Sequence, residues 1–124
     1  QSGAGVARNN ATAVAKGKYI VYVDSDDKIK SNYLQKLYET AEDNQADVVI
    51  TQRMSWFGTG DGHVMRNWIA DKRIPQKKAF CCADVPDYIL NFTDGAPGGK
   101  LFRREFLLKH GIRYLPIKRV IKVF

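Results

Sequence analysis

Ten residues near the start of the chain restrict the fold more than anything else in it: Lys18-Tyr19-Ile20-Val21-Tyr22-Val23-Asp24-Ser25-Asp26-Asp27. Five apolar or aromatic residues run without a break and then meet three carboxylates within four positions. An unbroken run of β-branched and aromatic residues suits a strand buried on both faces of a sheet. A carboxylate resists burial unless it is paired or bound to a metal. The acids are therefore expected where the strand leaves the sheet, and ligands of open α/β sheets bind at that end of the strands. At a turn, Asp24 and Asp26 can reach one hard cation, for which oxygen ligands suit Mg²⁺, Mn²⁺ or Ca²⁺. An acidic turn that simply caps the next helix is the plainer reading. An EF-hand loop is excluded, because Lys28 and Ile29 stand where that loop needs its fifth-position ligand and its glycine.

The flanking patterns place this strand in an alternating fold. Ala7, Ala11, Val14 and Ala15 share one helical face, which predicts a helix over 3–16 with its small residues on the sheet and Gly17 as a left-handed stop. Arg8 in the first turn opposes the helix dipole, so it needs a partner to explain it. Ser31 or Asn32 can cap a second helix reaching about Asp43, with Leu34, Leu37, Tyr38 and Ala41 as its inner stripe. Residues 46–51 read as the next strand. Helix, strand, helix, strand predicts a mostly parallel α/β sheet with right-handed crossovers, 19–23 being a central strand and 47–51 lying in the same sheet.

The remainder is less periodic. Residues 54–80 read as a long loop whose Trp56, Phe57, Trp68 and Phe80 anchor it or stack on a sugar ring, with His63 in a structural or solvated role. Asp84 can cap a short helix through about Phe92. The Gly95–Gly99 loop allows close backbone approach before Lys100, a candidate phosphate ligand. Arg104 to His110 reads as a helix stopped by Gly111.

Composition narrows the classes. The 124 residues suit one small domain, and no apolar run approaches the 18 residues of a membrane span. Cys81 and Cys82 are adjacent, so neither a disulfide between them nor a zinc site is expected, and the reduced cytoplasm is the expected compartment. The net charge of +7 is concentrated in the last third, at Lys100, Arg103, Arg104, Lys109, Arg113, Lys118, Arg119 and Lys122. Such a surface is simply solvated or attracts an anion: a nucleotide sugar, a lipid phosphate or an anionic leaflet. No nucleic-acid motif accompanies it, so nucleic acid is not expected as a partner.

Four elements in order carry a resemblance: Gly3-Ala4-Gly5-Val6-Ala7-Arg8-Asn9-Asn10, Ala15-Lys16-Gly17-Lys18-Tyr19-Ile20, Asp24-Ser25-Asp26-Asp27 and Asn32-Tyr33-Leu34. Gly99–Phe106 and Gly111-Ile112-Arg113-Tyr114 add to it. Together they resemble the inverting family-2 glycosyltransferases of bacteria, of the GT-A, Rossmann-like, nucleotide-sugar-binding fold. The resemblance implies hexosyl transfer from a nucleotide-diphosphate sugar to a hydroxyl of a glycan or lipid-linked acceptor in cell-surface glycan synthesis. It implies Mn²⁺ or Mg²⁺ as cofactor. Nucleotide-sugar binding would fall to Arg8, Asp24, Ser25, Asp26 and Lys100, with Asp26 and Asp24 on the metal and Asp27 orienting the turn or the sugar. Two family features are missing: the early strands with Pro-x-Tyr-Asn and Asp-Asp-Gly-Ser, and the Glu-Asp pair after the segment matching 111–114, where the general base lies. Residues 1–124 are thus expected to form a single partial GT-A domain, about half to two-thirds of the whole and inactive alone. Peripheral association with the inner face of the membrane and self-association through an exposed sheet edge also follow. A non-catalytic truncated domain and a basic anion-binding module are the competing classes.

Overall fold

A computed structural model of the protein describes residues 3–51, 53–57, 63–67, 75, 78–88 and 96–115. In chain order the elements are α1 (Gly3–Val14), β1 (Tyr19–Val21), α2 (Tyr33–Asp43), β2 (Val48–Ile50), β3 (Arg53–Phe57), β4 (His63–Asn67), β5 (Lys100–Arg103) and α3 (Arg104–Lys109). The alternation of helix and strand over the first fifty residues is as expected, and β1 and β2 share one sheet.

Their pairing differs from the expectation. The sheet order is β1-β5-β2, and β5 is antiparallel to both neighbours. Tyr19, Ile20 and Val21 face Arg103, Phe102 and Leu101; Val48, Val49 and Ile50 face Phe102, Leu101 and Lys100. β1 and β2 therefore run parallel to each other but never touch, and every ladder in this sheet is antiparallel rather than mostly parallel. Among the described residues β5 is central and β1 and β2 flank it. The physical reason is in the apolar pattern of β5: Leu101 is 3% exposed and can fill the middle of the layer, whereas Val23, expected to prolong β1, is 45% exposed.

One face of the sheet is covered by α2. Leu37 and Ala41 meet Val49 and Leu101 in the core, with Tyr19, Val21, Tyr33 and Ala46 around them. Burying a leucine as fully as Leu37 or Leu101 contributes about 1.5–3 kcal/mol. Leu34 and Tyr38, expected in the same stripe, are each 49% exposed. Asn32 precedes α2 without a side-chain capping bond. The helix ends in a Schellman turn, with Ala46 N–H donating to Ala41 O at 3.0 Å and Gln45 N–H to Glu42 O at 3.2 Å; Gln45 takes φ 50°. α3 ends in the same way on Gly111 at φ 60°, through Ile112 N–H to Leu107 O and Gly111 N–H to Leu108 O. Gly17, expected to take that role for α1, does not have positive φ.

Three further expectations change. Of the predicted inner face of the first helix, Ala7, Ala11 and Val14 are exposed and Ala15, just past the end of α1, is half-buried; no residue of α1 is buried. Residues 53–57 and 63–67, inside the predicted loop, form an antiparallel pair of strands in register from Arg53↔Asn67 to Phe57↔His63. Trp68 lies outside the described residues. Residues 81–88 form turns, and Asp84 accepts a hydrogen bond backwards from Cys81 N–H at 2.7 Å instead of starting a helix; the rest of the expected helix, 89–92, lies outside the described residues.

Candidate functional site

The antiparallel insertion of β5 gives the sheet two dissimilar ends. At one end lie the carboxyl termini of β1 and β2 and the amino terminus of β5. The chain leaving β1 turns at once, with Asp27 N–H donating to Asp24 O at 3.0 Å, and residues 23–32 are exposed throughout. Asp24, Ser25, Asp26 and Asp27 thus sit outside the strand, as the desolvation argument requires. At the same end of the sheet but on the far side of β5, Thr51 donates from both N–H (2.8 Å) and Oγ1 (2.9 Å) to Gly99 O. Gly99 has φ 72°, a conformation that glycine adopts without strain. Lys100 follows, buried, with its ammonium turned to the carbonyl of Ala96. It lies at the expected end of the sheet but holds its own loop. Burial holds the Tyr33 phenol above its ordinary value, against a Thr51 hydrogen bond that lowers it and with the Asp27 charge adding to the rise.

Arg8 meets this turn from α1. Its Nη2 donates to Asp24 Oδ1 at 2.6 Å. Arg8 is the sixth of the twelve residues of α1, past the first turn, so the dipole penalty expected of it does not arise and Asp24 is simply its ion-pair partner. Two residues expected to contact a ligand separately are therefore joined to each other. Asp24 remains 57% exposed and Arg8 21% exposed at the side chain. An exposed pair of this kind is worth only about 0–1 kcal/mol, so a stronger ligand can compete for either partner.

Four side chains not expected at the site frame the pair. The Tyr114 ring lies 5.6 Å from the Arg8 guanidinium carbon and 5.6 Å from the Tyr22 ring, which it meets edge-on. Asn9 clasps the backbone of Tyr114 from both sides: Nδ2 donates to Tyr114 O at 2.8 Å, and Oδ1 accepts from Tyr114 N–H at 2.9 Å. Thr12 gives its single proton to Arg8 O at 2.9 Å, so at the 2.6 Å contact Tyr22 Oη is the donor to Thr12 Oγ1. Burial holds the Tyr114 hydroxyl above its ordinary value, reinforced by Tyr22 and opposed by Arg8, so it stays protonated at neutral pH. α1 thus docks by its polar face, Arg8, Asn9 and Thr12, which is why the alanines face outward. Asn9 and Tyr114 were both visible in the quoted motifs; periodicity cannot show that residues 105 apart pair.

Residues 1–111 match Glycosyl transferase family 2. The chain belongs to this family. Among the relatives of this family-2 domain is the poly(ribitol-phosphate) beta-glucosyltransferase of Bacillus spizizenii, 41% identical over 112 residues, which cover 90% of this chain and 16% of the relative. The cholesterol galactosyltransferase of Borreliella burgdorferi is 30% identical over 118 residues, 90% of this chain and 32% of the relative. Glycosyltransferase GlyG of Streptococcus pneumoniae is 48% identical over 50 residues, 40% of this chain and 17% of the relative. The family-2 domain therefore spans less than a third of the length of these relatives. Membership places its α/β layer in the GT-A, Rossmann-like class.

The donor chemistry of the acidic turn fits a hard divalent cation. Asp24 and Asp26 offer exposed carboxylate oxygens on one short turn, which is a partial shell. No three His, Cys, Asp or Glu side chains are grouped to hold a metal among the described residues. Mg²⁺ characteristically takes one or two carboxylates and lets substrate phosphates and water fill the rest.

The opposite end of the sheet holds a shallow groove of ≈ 470 Å³ lined by Lys18, Glu42, Gln45, Asp47 and Arg103. Its charges are neutralised internally: Lys18 Nζ meets Glu42 Oε1 at 2.6 Å, and Arg103 Nε meets Asp47 Oδ1 at 2.9 Å. A groove whose cations and anions already satisfy one another is a fastening of the sheet. The acidic turn remains the candidate site. No helix among the described residues is long and apolar enough to cross a membrane.

Proposed function

We propose that this domain contributes the diphosphate-binding part of a glycosyltransferase that moves a hexose from a nucleotide-diphosphate sugar to a hydroxyl of a glycan or lipid-linked acceptor, with inversion. The observation that carries the reading is the exposed acidic turn at the end of β1, met by Arg8 at the same end of the sheet as Lys100. In this reading Arg8 binds the donor diphosphate, Asp24 orients the ribose, and Ser25 keeps the turn open to the nucleotide. Lys100 fixes the Ala96–Gly99 loop and adds positive charge beneath it. Asp26, with Asp24, would hold Mn²⁺ or Mg²⁺, which when bound supplies charge neutralisation to the departing diphosphate. Asp27 orients the turn or the sugar.

Inversion needs one displacement. A base takes the proton of the acceptor hydroxyl, its oxygen attacks the anomeric carbon, and the bond from that carbon to the diphosphate oxygen breaks with its electron pair going to the nucleoside diphosphate. Residues 112–124 contain no Asp or Glu to serve as that base. The reading therefore treats 1–124 as a single partial GT-A domain that does not turn over by itself. The setting proposed is cell-surface glycan synthesis at the inner face of the membrane, where the basic C-terminal third would be drawn to an anionic leaflet.

Isothermal titration of the chain with a nucleoside diphosphate, with and without Mn²⁺, tests the reading. Mn²⁺-dependent binding, lost in Asp26→Ala, is expected. Binding of any polyanion without Mn²⁺ and with no effect of Asp26→Ala would replace it by the basic anion-binding class.

A further inference from the structure

The Asn9–Tyr114 clasp is built more carefully than a chance surface contact. Both polar atoms of the Asn9 amide are used, one as donor and one as acceptor, on the backbone C=O and N–H of a single residue 105 positions away. The close approach depends on Gly5: a Cβ there would stand 3.1 Å from Leu115 O and 3.1 Å from Tyr114 Cβ. With that backbone fixed, the Tyr114 ring has one side at Tyr22, itself tied to Thr12, and lies near the Arg8 guanidinium. Arg8 has several rotatable bonds and an exposed partner in Asp24. The aromatic ring limits where the guanidinium can go, because a cation prefers the face of a ring within about 6 Å of its centre.

We propose that Asn9 is a positioning residue: through the Tyr114 backbone it sets the ring against Arg8, and so presents the guanidinium at the acidic turn, where a diphosphate can take it over from Asp24. This rests on the diphosphate reading of the site. The exchange is chemically reasonable, since both partners are partly exposed and a diphosphate offers Arg8 more acceptor oxygens than one carboxylate. It also means that an anion drawing Arg8 away frees Asp24 for a cation, so anion and cation binding reinforce each other.

Two variants loosen the clasp by independent routes. Asn9→Ala removes both hydrogen bonds; Gly5→Ala leaves Asn9 intact and forces the 114–115 segment away. Tyr114→Phe keeps both clasp and ring and serves as the control. The first readout is the NMR signal of Arg8 Nε–Hε. It should shift and exchange faster with water in Asn9→Ala and Gly5→Ala and stay in place in Tyr114→Phe. The second is the Kd of Mn²⁺ for the chain with inorganic pyrophosphate present and absent, followed by paramagnetic broadening at Ser25. Pyrophosphate should tighten Mn²⁺ binding in the unmodified chain, and the two loosened variants should lose about 3–10-fold of that tightening.

An unchanged Arg8 signal in either folded variant overturns the proposal, as does undiminished pyrophosphate-dependent tightening in both. If pyrophosphate has no effect on the unmodified chain, the diphosphate reading of the site fails, and the Arg8 signal alone then decides whether Asn9 positions it. Circular dichroism of each variant identifies any that has unfolded; should Asn9→Ala unfold, Gly5→Ala carries the test.

Discussion

The two ends of the three-stranded sheet use similar side chains for different ends. At one, Lys18, Glu42, Tyr19, Asp47 and Arg103 are tied to each other. Glu42 accepts from Lys18 at 2.6 and 2.8 Å and from the Tyr19 hydroxyl, while Arg103 bonds Asp47 Oδ1 and Ala46 O and lies 5.4 Å from the Tyr19 ring centre. Arg104 adds a bond to Gly17 O at 2.9 Å. At the other end, three carboxylates stand on an exposed turn, and among the described residues one of them, Asp24, is paired, with Arg8. The first arrangement holds the strands in register where β5 becomes α3. The second keeps its charge available. Both are acidic and basic side chains at strand ends, and only the degree of internal pairing separates a fastening from a binding site.

The largest effect expected from this contrast is at the exposed end. If the proposed diphosphate reading holds, then in any form of the protein that transfers sugar Asp26→Ala should lower turnover about 10²–10³-fold, the scale for losing one group that stabilises developing charge. Its thermal midpoint should move by no more than a degree or two. Release of nucleoside diphosphate and a melting curve measure the two sides, and a large fall in the midpoint would mean that the turn is a fastening as well.

Arg103→Ala is the mirror experiment. It removes two hydrogen bonds and a ring contact at the paired end, and should destabilise the chain by about 1.5–3 kcal/mol in urea unfolding. Its affinity for Mn²⁺ and pyrophosphate should not change. A change in both would couple the ends and break the distinction.

Gln45 sharpens it by a smaller step. Its φ of 50° closes the Schellman turn after α2 and borders the paired groove. Left-handed backbone costs a side chain about 1–2 kcal/mol, offset in part by the extra entropy that glycine loses on folding. Gln45→Gly should therefore raise stability by about 0.5–1 kcal/mol without touching ligand binding.

The smallest effect is on pH. Hydrogen bonds from Lys18 first, and then from Tyr19, hold the Glu42 carboxyl below its ordinary value of 4.5. Its contribution is present above that value and fades as the pH falls through the lower folded-state value. The Glu42 hydrogen bond raises Lys18 above 10.5, and burial first, then Glu42, raises Tyr19 above 10.0. Their contributions are present below those values and fade as the pH rises beyond them. Stability measured from pH 3 to 11 should show shallow losses at both limits, and Glu42→Gln should flatten both.

The sequence made the exposed end easy to find. A carboxylate cluster after an apolar run can only sit outside the strand, and Leu37 and Ala41 followed from helical spacing. Long-range choices were not legible. Nothing local in Lys100-Leu101-Phe102-Arg103 announces that it will lie between two earlier strands, because pairing partners are set by burial across the whole layer. The helical period turned the alanines of α1 inward; three polar contacts, at Asp24, Tyr22 and Tyr114, outweighed that small apolar gain. The β3–β4 pair did carry a signal, since glycines at 58, 60 and 62 separate two short segments as they would in a hairpin.

The central place of β5 also dictates an order of events during folding. Among the described residues β1 and β2 have no bond to each other, so the ladders that join them form only once residues 100–103 have been made. Sheets closed by such distant partners fold slowly and are prone to pair with neighbouring molecules while they wait. Slow refolding that worsens with protein concentration is thus written into the position of four residues late in the chain.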